Sequence, residues 1–181
     1  MDYVDLHRAD SWLIDECAAL LHASFLDHPS GWPDLDSAHA EVVDSLSPGK
    51  ISRVAIDDDG NVAGWIGAQP EYDGNVWELH PLVVRERDRR QGLGRILVQD
   101  LEHILALRGA LTLWLGTDDE AGETSLAGAD LYADLPTQLR AFQAGSHASA
   151  FYIKLGFRVV GVMPDANGRG KPDILMAKQL G

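Results

Sequence analysis

Apolar residues recur at helical spacing over residues 11–26, where Trp12, Leu13, Ala18, Leu20, Leu21 and Phe25 form one stripe and Asp10 or Ser11 is placed as N-cap. The polar turn His28-Pro29-Ser30-Gly31-Trp32-Pro33 follows, and a second helix is predicted from Asp36 to about Leu46. The period then changes. Ser52–Asp57 and Asn61–Gln69 read as strands joined by Asp58-Asp59-Gly60, a strong hairpin signal. Val76–Arg85 is a third aliphatic strand. Residues 94–107 return to helical spacing through Ile96, Leu97, Leu101, Ile104, Leu105 and Leu107. Leu111–Leu115 is a short strand ending at Gly116. A long acidic loop, a helix near residues 135–144, a helix at Ser149–Leu155 and strands Phe157–Val162 and Ile174–Lys178 complete the pattern. The order β-α-α-β-β-β-α-β-(α)-α-β-β predicts an α/β fold, with a mixed, mostly antiparallel central sheet flanked by helices. With no internal repeat, low-complexity tract or long linker, residues 1–181 are expected to form one domain.

Composition fits this expectation: 181 residues at 45% apolar content can bury one sizeable core. Met1-Asp2-Tyr3-Val4-Asp5 lacks the basic and apolar regions of a signal peptide, and no apolar run approaches the roughly 20 residues of a membrane span. A cytoplasmic protein is expected. Cys17 is the only cysteine and falls in the apolar stripe of the first helix, so it reads as a small buried hydrophobe. The histidines show no metal-ligand spacing, and no metal is expected.

Charge is unevenly distributed. The net charge of −13 argues against nucleic acid and anionic membranes as partners and suits a cationic substrate. Between Arg108 and Arg140 there is no Lys or Arg, while the span carries Asp118, Asp119, Glu120, Glu123, Asp130 and Asp134. Conversely, Arg85, Arg87, Arg89, Arg90 and Arg95 crowd one short segment, which points to an anion bound there.

That segment holds the turn Arg89-Arg90-Gln91-Gly92-Leu93-Gly94, between an aliphatic strand and an amphipathic helix. Glycines let successive N–H groups point into one concavity, and the helix adds unpaired amides and its positive dipole end. Arg89, Arg90 and Arg95 add formal charge, so the turn suits a pyrophosphate. A Rossmann site would need Gly or Ala where Leu97 stands, and a P-loop would need a Lys-Ser/Thr pair after the glycines.

The pattern Arg89-x-x-Gly92-x-Gly94 after an aliphatic strand resembles the acetyl-CoA-binding motif of the GCN5-related N-acetyltransferase (GNAT) superfamily, and Phe151-Tyr152-Ile153-Lys154-Leu155-Gly156-Phe157 resembles its second landmark. The strand Trp77-Glu78-Leu79-His80-Pro81, the run Leu115-Gly116-Thr117-Asp118-Asp119-Glu120 and the tail from Val160 to Ile174 are similar to the aminoglycoside 6'-N-acetyltransferase subgroup, over roughly residues 30–180. One segment departs. Where that subgroup commonly reads His-Pro-Tyr-Glu-Phe-Tyr, this chain has His147-Ala148-Ser149-Ala150-Phe151-Tyr152, which bears on the shape of the pocket edge more than on the chemistry.

The resemblance implies an acetyl-CoA co-substrate whose pyrophosphate meets Arg89, Arg90, Gln91, Gly92, Leu93, Gly94 and Arg95. Its pantetheine would meet backbone groups of Leu82, Val83 and Val84, with the Leu82 N–H polarising the thioester carbonyl. Glu78 is the candidate general base, directly or through water, or the anchor of the cationic substrate. Period-2 alternation puts it on one face with His80 and Leu82, opposite Trp77, Leu79 and Val83. Tyr152 is the candidate acid for the thiolate. His80 is a positioning residue beside catalysis and cofactor. For a polycationic aminoglycoside, Asp118, Asp119 and Asp134 supply acidity, with Asp119 also placed against the cofactor. Trp32 and Tyr72 supply flat faces for sugar rings. The resemblance further implies a homodimer. The rival readings are an acetyltransferase for another cationic amine (a polyamine, a small metabolite or a protein N-terminus) and a non-catalytic acyl-CoA sensor.

Overall fold

The computed structural model describes residues 1–26, 28 and 31–181, so Pro29 and Ser30 of the expected polar turn lie outside the described residues. The chain divides into two units, residues 1–111 with 180–181 and residues 112–179.

In the first unit, β1 (Asp2–Asp5), β2 (Ile51–Ile56), β3 (Val62–Glu71) and β4 (Val76–Val84) pair antiparallel in that order. They are joined by helices α1 (Ser11–Ser24) and α2 (Leu35–Asp44) and followed by α3 (Leu93–Leu107). The Asp58-Asp59-Gly60 hairpin forms as expected, with Gly60 at φ +85° and the Asp57 N–H donating to the Asn61 carbonyl at 2.9 Å. Asp10 is the N-cap residue of α1, yet its carboxylate accepts from the His7 N–H (3.1 Å) instead of from the helix. Helix α2 starts in a capping box: the Asp34 carboxylate accepts from the Ser37 N–H at 2.7 Å, and the Ser37 hydroxyl reaches back to the Asp34 backbone.

Strand β3 is buried along almost its whole length because helices cover both of its faces. A Cβ on Gly64 would stand 2.9 Å from Leu97 Cδ1, so α3 lies against that face. Trp65 therefore points the other way, into a cluster with Cys17 and Leu21 of α1 and Ala38 and Val42 of α2. It is fully buried, which is worth about 3 kcal/mol, and its indole N–H donates to Ser52 Oγ at 2.8 Å. Cys17 is the buried hydrophobe expected, and burial pushes its thiol well up.

The β3–β4 ladder contains one irregularity. Trp65 pairs with Val83 and Ile66 with Leu82, but Ala68 pairs with Leu79 and Gln69 with Glu78. Strand β4 has gained one residue, so His80 and Pro81 together oppose Gly67, and the peptide between them is cis. A one-residue slip exchanges the faces of a strand. Before the bulge, Trp77 and Leu79 lie on the α3 face, where the Arg108 guanidinium at the end of α3 sits 5.4 Å over the Trp77 ring. After it, Val83 joins the Trp65 cluster on the opposite face. This corrects the alternation read from sequence: Glu78 and His80 share the α1/α2 face, while Leu82, level with Ile66, belongs to the other. Period 2 holds only for an unbroken ladder.

In the second unit, β7 (Asp173–Gln179) pairs antiparallel with both β5 (Thr112–Asp118) and β6 (Arg158–Met163). Helices α4 (Leu135–Arg140) and α5 (Ser149–Lys154) are short, six residues each, and α4 ends four residues before the expected position 144. Strand β5 runs three residues past Leu115, which puts Asp118 on the strand. The acidic loop after it is tied down: the Gly128 N–H donates to the Gly170 carbonyl at 2.9 Å in the β6–β7 connection. The architecture is α/β. Among the described residues, no helix is long and apolar enough to cross a membrane.

Two consequences are measurable. A Cβ at position 67 would lie 2.4 Å from the His80 carbonyl oxygen, backbone that cannot step aside. Gly67→Ala is expected to destabilise by about 1–3 kcal/mol in urea unfolding; a neutral result would disprove the tight crossing. Asp57 accepts from Arg85 Nη2 (2.8 Å) and from the Asn61 amide, which together lower its carboxyl from 3.8 to about 2. Since the folded value is depressed, the stabilisation is present above the ordinary carboxylate range and disappears as pH falls toward 2. Asp57→Asn should thus be less stable than the parent at pH 7, with the gap closing between pH ~4 and 2 in urea melts.

Candidate active site

The arginine-rich segment sorts itself by pairing. Arg85 is held by Asp57 and by Asp88 (2.6 Å), and Arg87 also reaches Asp57 at 3.3 Å. Arg89, Arg90 and Arg95 stay exposed at the turn. Arg89 ties the turn to the end of β4, its Nε donating to the Val84 carbonyl at 2.9 Å. The Gln91 side chain donates to the Arg87 carbonyl at 2.7 Å. Arg90 and Gly92 both take left-handed φ, +59° and +91°, an alternation that turns amides toward one concavity. At Gly92 the need for glycine is conformational, since a Cβ there would meet nothing within 4 Å.

Helix α3 starts at Leu93, so Gly94 lies in its first turn. The first helical bond runs from the Ile96 N–H to the Gly92 carbonyl at 3.1 Å, which leaves the Leu93, Gly94 and Arg95 amides ahead of it. No acidic residue stands in that turn and no side chain caps it. Amides, dipole and exposed cations therefore fit a pyrophosphate.

On β4, the Glu78 carboxylate is half-buried and accepts from Gln69 Nε2 at 2.6 Å across the strand pair. His80 is more open, with its ring 5.7 Å from that of Trp32 and its Nε2 3.6 Å from Glu41 Oε1. Trp32 is half-buried and packs edge-on against Phe25 at 5.0 Å. Tyr72 is 75% exposed at a left-handed position in the β3–β4 turn, apart from that stack. Leu82 and Val84 are half-buried and Val83 is buried; the Arg85 N–H continues the ladder to the Ala63 carbonyl.

In the second unit, the Tyr152 ring is buried between Phe151 (5.1 Å) and Phe157 (5.5 Å), both edge-on, and burial pushes its phenol well up. Asp118 is exposed at the end of β5, and its side chain accepts from Asn167 Nδ2. Asp119 is fully buried, and its oxygens accept from the Glu123 N–H (2.7 Å) and the Thr124 N–H (2.8 Å). Burial acts to raise that carboxyl, but the Thr124 and Glu123 hydrogen bonds outweigh it and hold it low. Its carboxylate thus folds the loop and presents no open surface to a cofactor, unlike the expectation. Asp134 is exposed and caps α4, accepting from the Thr137 N–H at 3.2 Å.

Three further polar residues to which the sequence reading gave no role are Glu41, His147 and Asp173. His147 is buried, accepts at Nδ1 from the Ser149 N–H (3.3 Å), and donates from Nε2 to the Asp118 carbonyl at 3.0 Å. In the Ala148-Ser149-Ala150 departure the Ser149 hydroxyl also lies 3.0 Å from Nδ1 of this histidine, a contact that only the serine side chain supplies. Asp173 lies directly across from Asp118 in the β5–β7 register, and burial together with the Asp118 charge raises its carboxyl. Gly116 gives it room, since a Cβ there would sit 2.7 Å from Asp173 Oδ2. The signal for Asp173 was its place in the unusual tail. That for Glu41 was its position beside the buried stripe Ala38 and Val42. Among the described residues, no group of three or more His, Cys, Asp or Glu is arranged to hold a metal.

The pattern of the acetyltransferase (GNAT) family matches residues 16–127. The chain is similar to a solved aminoglycoside 6'-N-acetyltransferase complexed with coenzyme A, at 38% identity over 100% of this chain and 98% of that one, with TM-score 0.91. It is similar to the aminoglycoside 6'-N-acetyltransferase from Enterococcus faecium at 38% identity, the same coverage and TM-score 0.89. A third structure, aminoglycoside 6'-acetyltransferase type Ii, is 35% identical over 100% and 98%, with TM-score 0.76. No curated protein matches the chain. A turn that suits a pyrophosphate, in a chain that follows the family pattern over more than half its length, makes this protein an acetyl-CoA-dependent N-acetyltransferase belonging to the acetyltransferase (GNAT) family.

Proposed function

We propose that the protein is an aminoglycoside 6'-N-acetyltransferase, acting in the cytoplasm by direct transfer in a ternary complex, with residues 1–181 as one acetyltransferase domain. The observation that carries this reading is Glu78: a half-buried carboxylate just ahead of the β4 bulge, in a chain that resembles aminoglycoside 6'-N-acetyltransferases from end to end. Acetyl-CoA supplies the acetyl group as a thioester. The turn from Arg89 to Arg95 binds its pyrophosphate, and the backbone of Leu82, Val83 and Val84 receives the pantetheine. This role survives the change of face at Leu82, because a strand's N–H lies in the plane of the sheet, not on a face.

The amine arrives as ammonium and must lose a proton before it can attack. Glu78 accepts that proton directly or through water; Gln69 occupies Oε2 and leaves Oε1 for this task. The Leu82 N–H donates toward the carbonyl oxygen as charge develops there, an interaction typically worth ~3 kcal/mol. Tyr152 stays protonated because burial penalises its phenolate, and it donates toward the leaving sulfur. A thiol is more acidic than such a phenol, so Tyr152 contributes chiefly a hydrogen bond to the departing thiolate. Exposed Asp118 meets the other ammonium groups of the polycation.

Addition of kanamycin or tobramycin to protein and acetyl-CoA should release free thiol, whereas a 6'-hydroxyl analogue should not be acetylated. Turnover of polyamines alone would overturn the aminoglycoside reading and leave the family assignment standing. Glu78→Gln should lower kcat by roughly 10²–10⁴ with unchanged acetyl-CoA affinity. Tyr152→Phe should cost about tenfold in kcat, the scale of one hydrogen bond to a charged group. The reading includes a homodimer, which light scattering should report as twice 19.7 kDa.

A further inference from the structure

His80 is an exposed imidazole, 44% accessible, on the same side of β4 as Glu78. Left to itself, such a side chain would sample several rotamers. Two neighbours restrain it. One is Trp32, itself fixed by Phe25 and by its carbonyl, which lies 2.9 Å from His22 Nδ1. The other is Glu41. Its backbone is set by the capping box of α2 and by the burial of Ala38 and Val42 on either side, and its side chain is 26% exposed. At 3.6 Å the Glu41 carboxylate lies beyond hydrogen-bond length from His80 Nε2 and faces that edge of the ring. At that distance its negative charge attracts a ring N–H, which the neutral amide of a glutamine would do less strongly.

We propose that Glu41 is a positioning residue for His80, holding the imidazole against Trp32 on the Glu78 side of β4. For acetyl transfer this rests on Glu78 being the carboxylate of the active site. His80 then lines the path by which the acceptor amine reaches Glu78. A misplacement of the order of an ångström there is enough to slow the reaction. The backbone reason for the arrangement is the bulge, which puts the His80 side chain on the face that α2 covers.

A double-mutant cycle over Glu41→Gln and His80→Ala tests this, with kcat and KM measured for whichever acceptor turns over. Glu41→Gln should lower kcat about three- to tenfold with KM changed less than twofold, and Glu41→Asp should recover part of the loss. In the His80→Ala background Glu41→Gln should have no further effect. A readout independent of any substrate is the ¹H–¹³C spectrum of the full protein. The His80 ring protons, shifted by the Trp32 ring, should move toward ordinary positions in Glu41→Gln while the Val42 methyls stay in place. If aminoglycosides are not acetylated, the functional reading fails and the spectrum still decides the role of Glu41. Unmoved His80 signals, or a Glu41→Gln effect that persists without His80, would overturn the proposal.

Discussion

One extra residue in β4 governs the first unit. Because Gly67 carries no side chain, the His80 carbonyl can approach the neighbouring strand closely, and His80 and Pro81 share one partner position. The strand turns over at that point. Trp77 and Leu79 pack on the α3 side before it, and Val83 fills the Trp65 cluster on the α1/α2 side after it. Both ends of the strand therefore bury apolar side chains, while Glu78 and His80 face the side where α2 carries Glu41 and the segment before α2 carries Trp32. A regular ladder would have kept one face for the whole strand and divided these groups differently.

Charge is arranged with similar economy. An acidic protein must hold an anion with few cations, and Asp57 and Asp88 engage Arg85 and Arg87 so that their neighbours carry the task. The turn then relies on amides and a helix start, with Arg89 braced to the Val84 carbonyl, joining it to the end of β4. In the second unit the same logic runs in reverse. Asp118 and Asp173 are like charges placed opposite each other, an arrangement that weakens a sheet. Asn167 donates to Asp118, the His147 N–H binds its carbonyl, and burial together with the Asp118 charge raises the Asp173 carboxyl.

Much of the fold was legible because it rests on local periods. The helices expected over residues 11–26 and 94–107 form at Ser11–Ser24 and Leu93–Leu107, and the Asp58-Asp59-Gly60 hairpin forms where turn chemistry put it. Trp12, Ile96 and Leu107 of the expected stripes are nonetheless exposed, while Ile14 and Val98 are buried. Ends were less legible. The expected helix to residue 144 stops at Arg140, and β5 continues through Gly116 to Asp118 because β7 pairs with it residue by residue. Among the acids of the cation-free loop, composition could not tell an exposed carboxylate from a structural one. Asp119 and Asp134 are separated from Asp118 only by which backbone amides happen to reach them.

The sequence by itself determined the anion turn. Gly92 at a left-handed position, the start of α3 and the clustered arginines are all local in the chain, so their chemistry can be read in order. What it could not determine is which side of β4 each residue faces. Period 2 put Glu78, His80 and Leu82 together, and the Gly67 crossing parts Leu82 from the other two. That outcome depends on a glycine in another strand, and the Glu41–His80 contact depends on a helix about forty residues earlier in the chain. Facing is a property of paired strands and packed helices, so only the tertiary structure decided it.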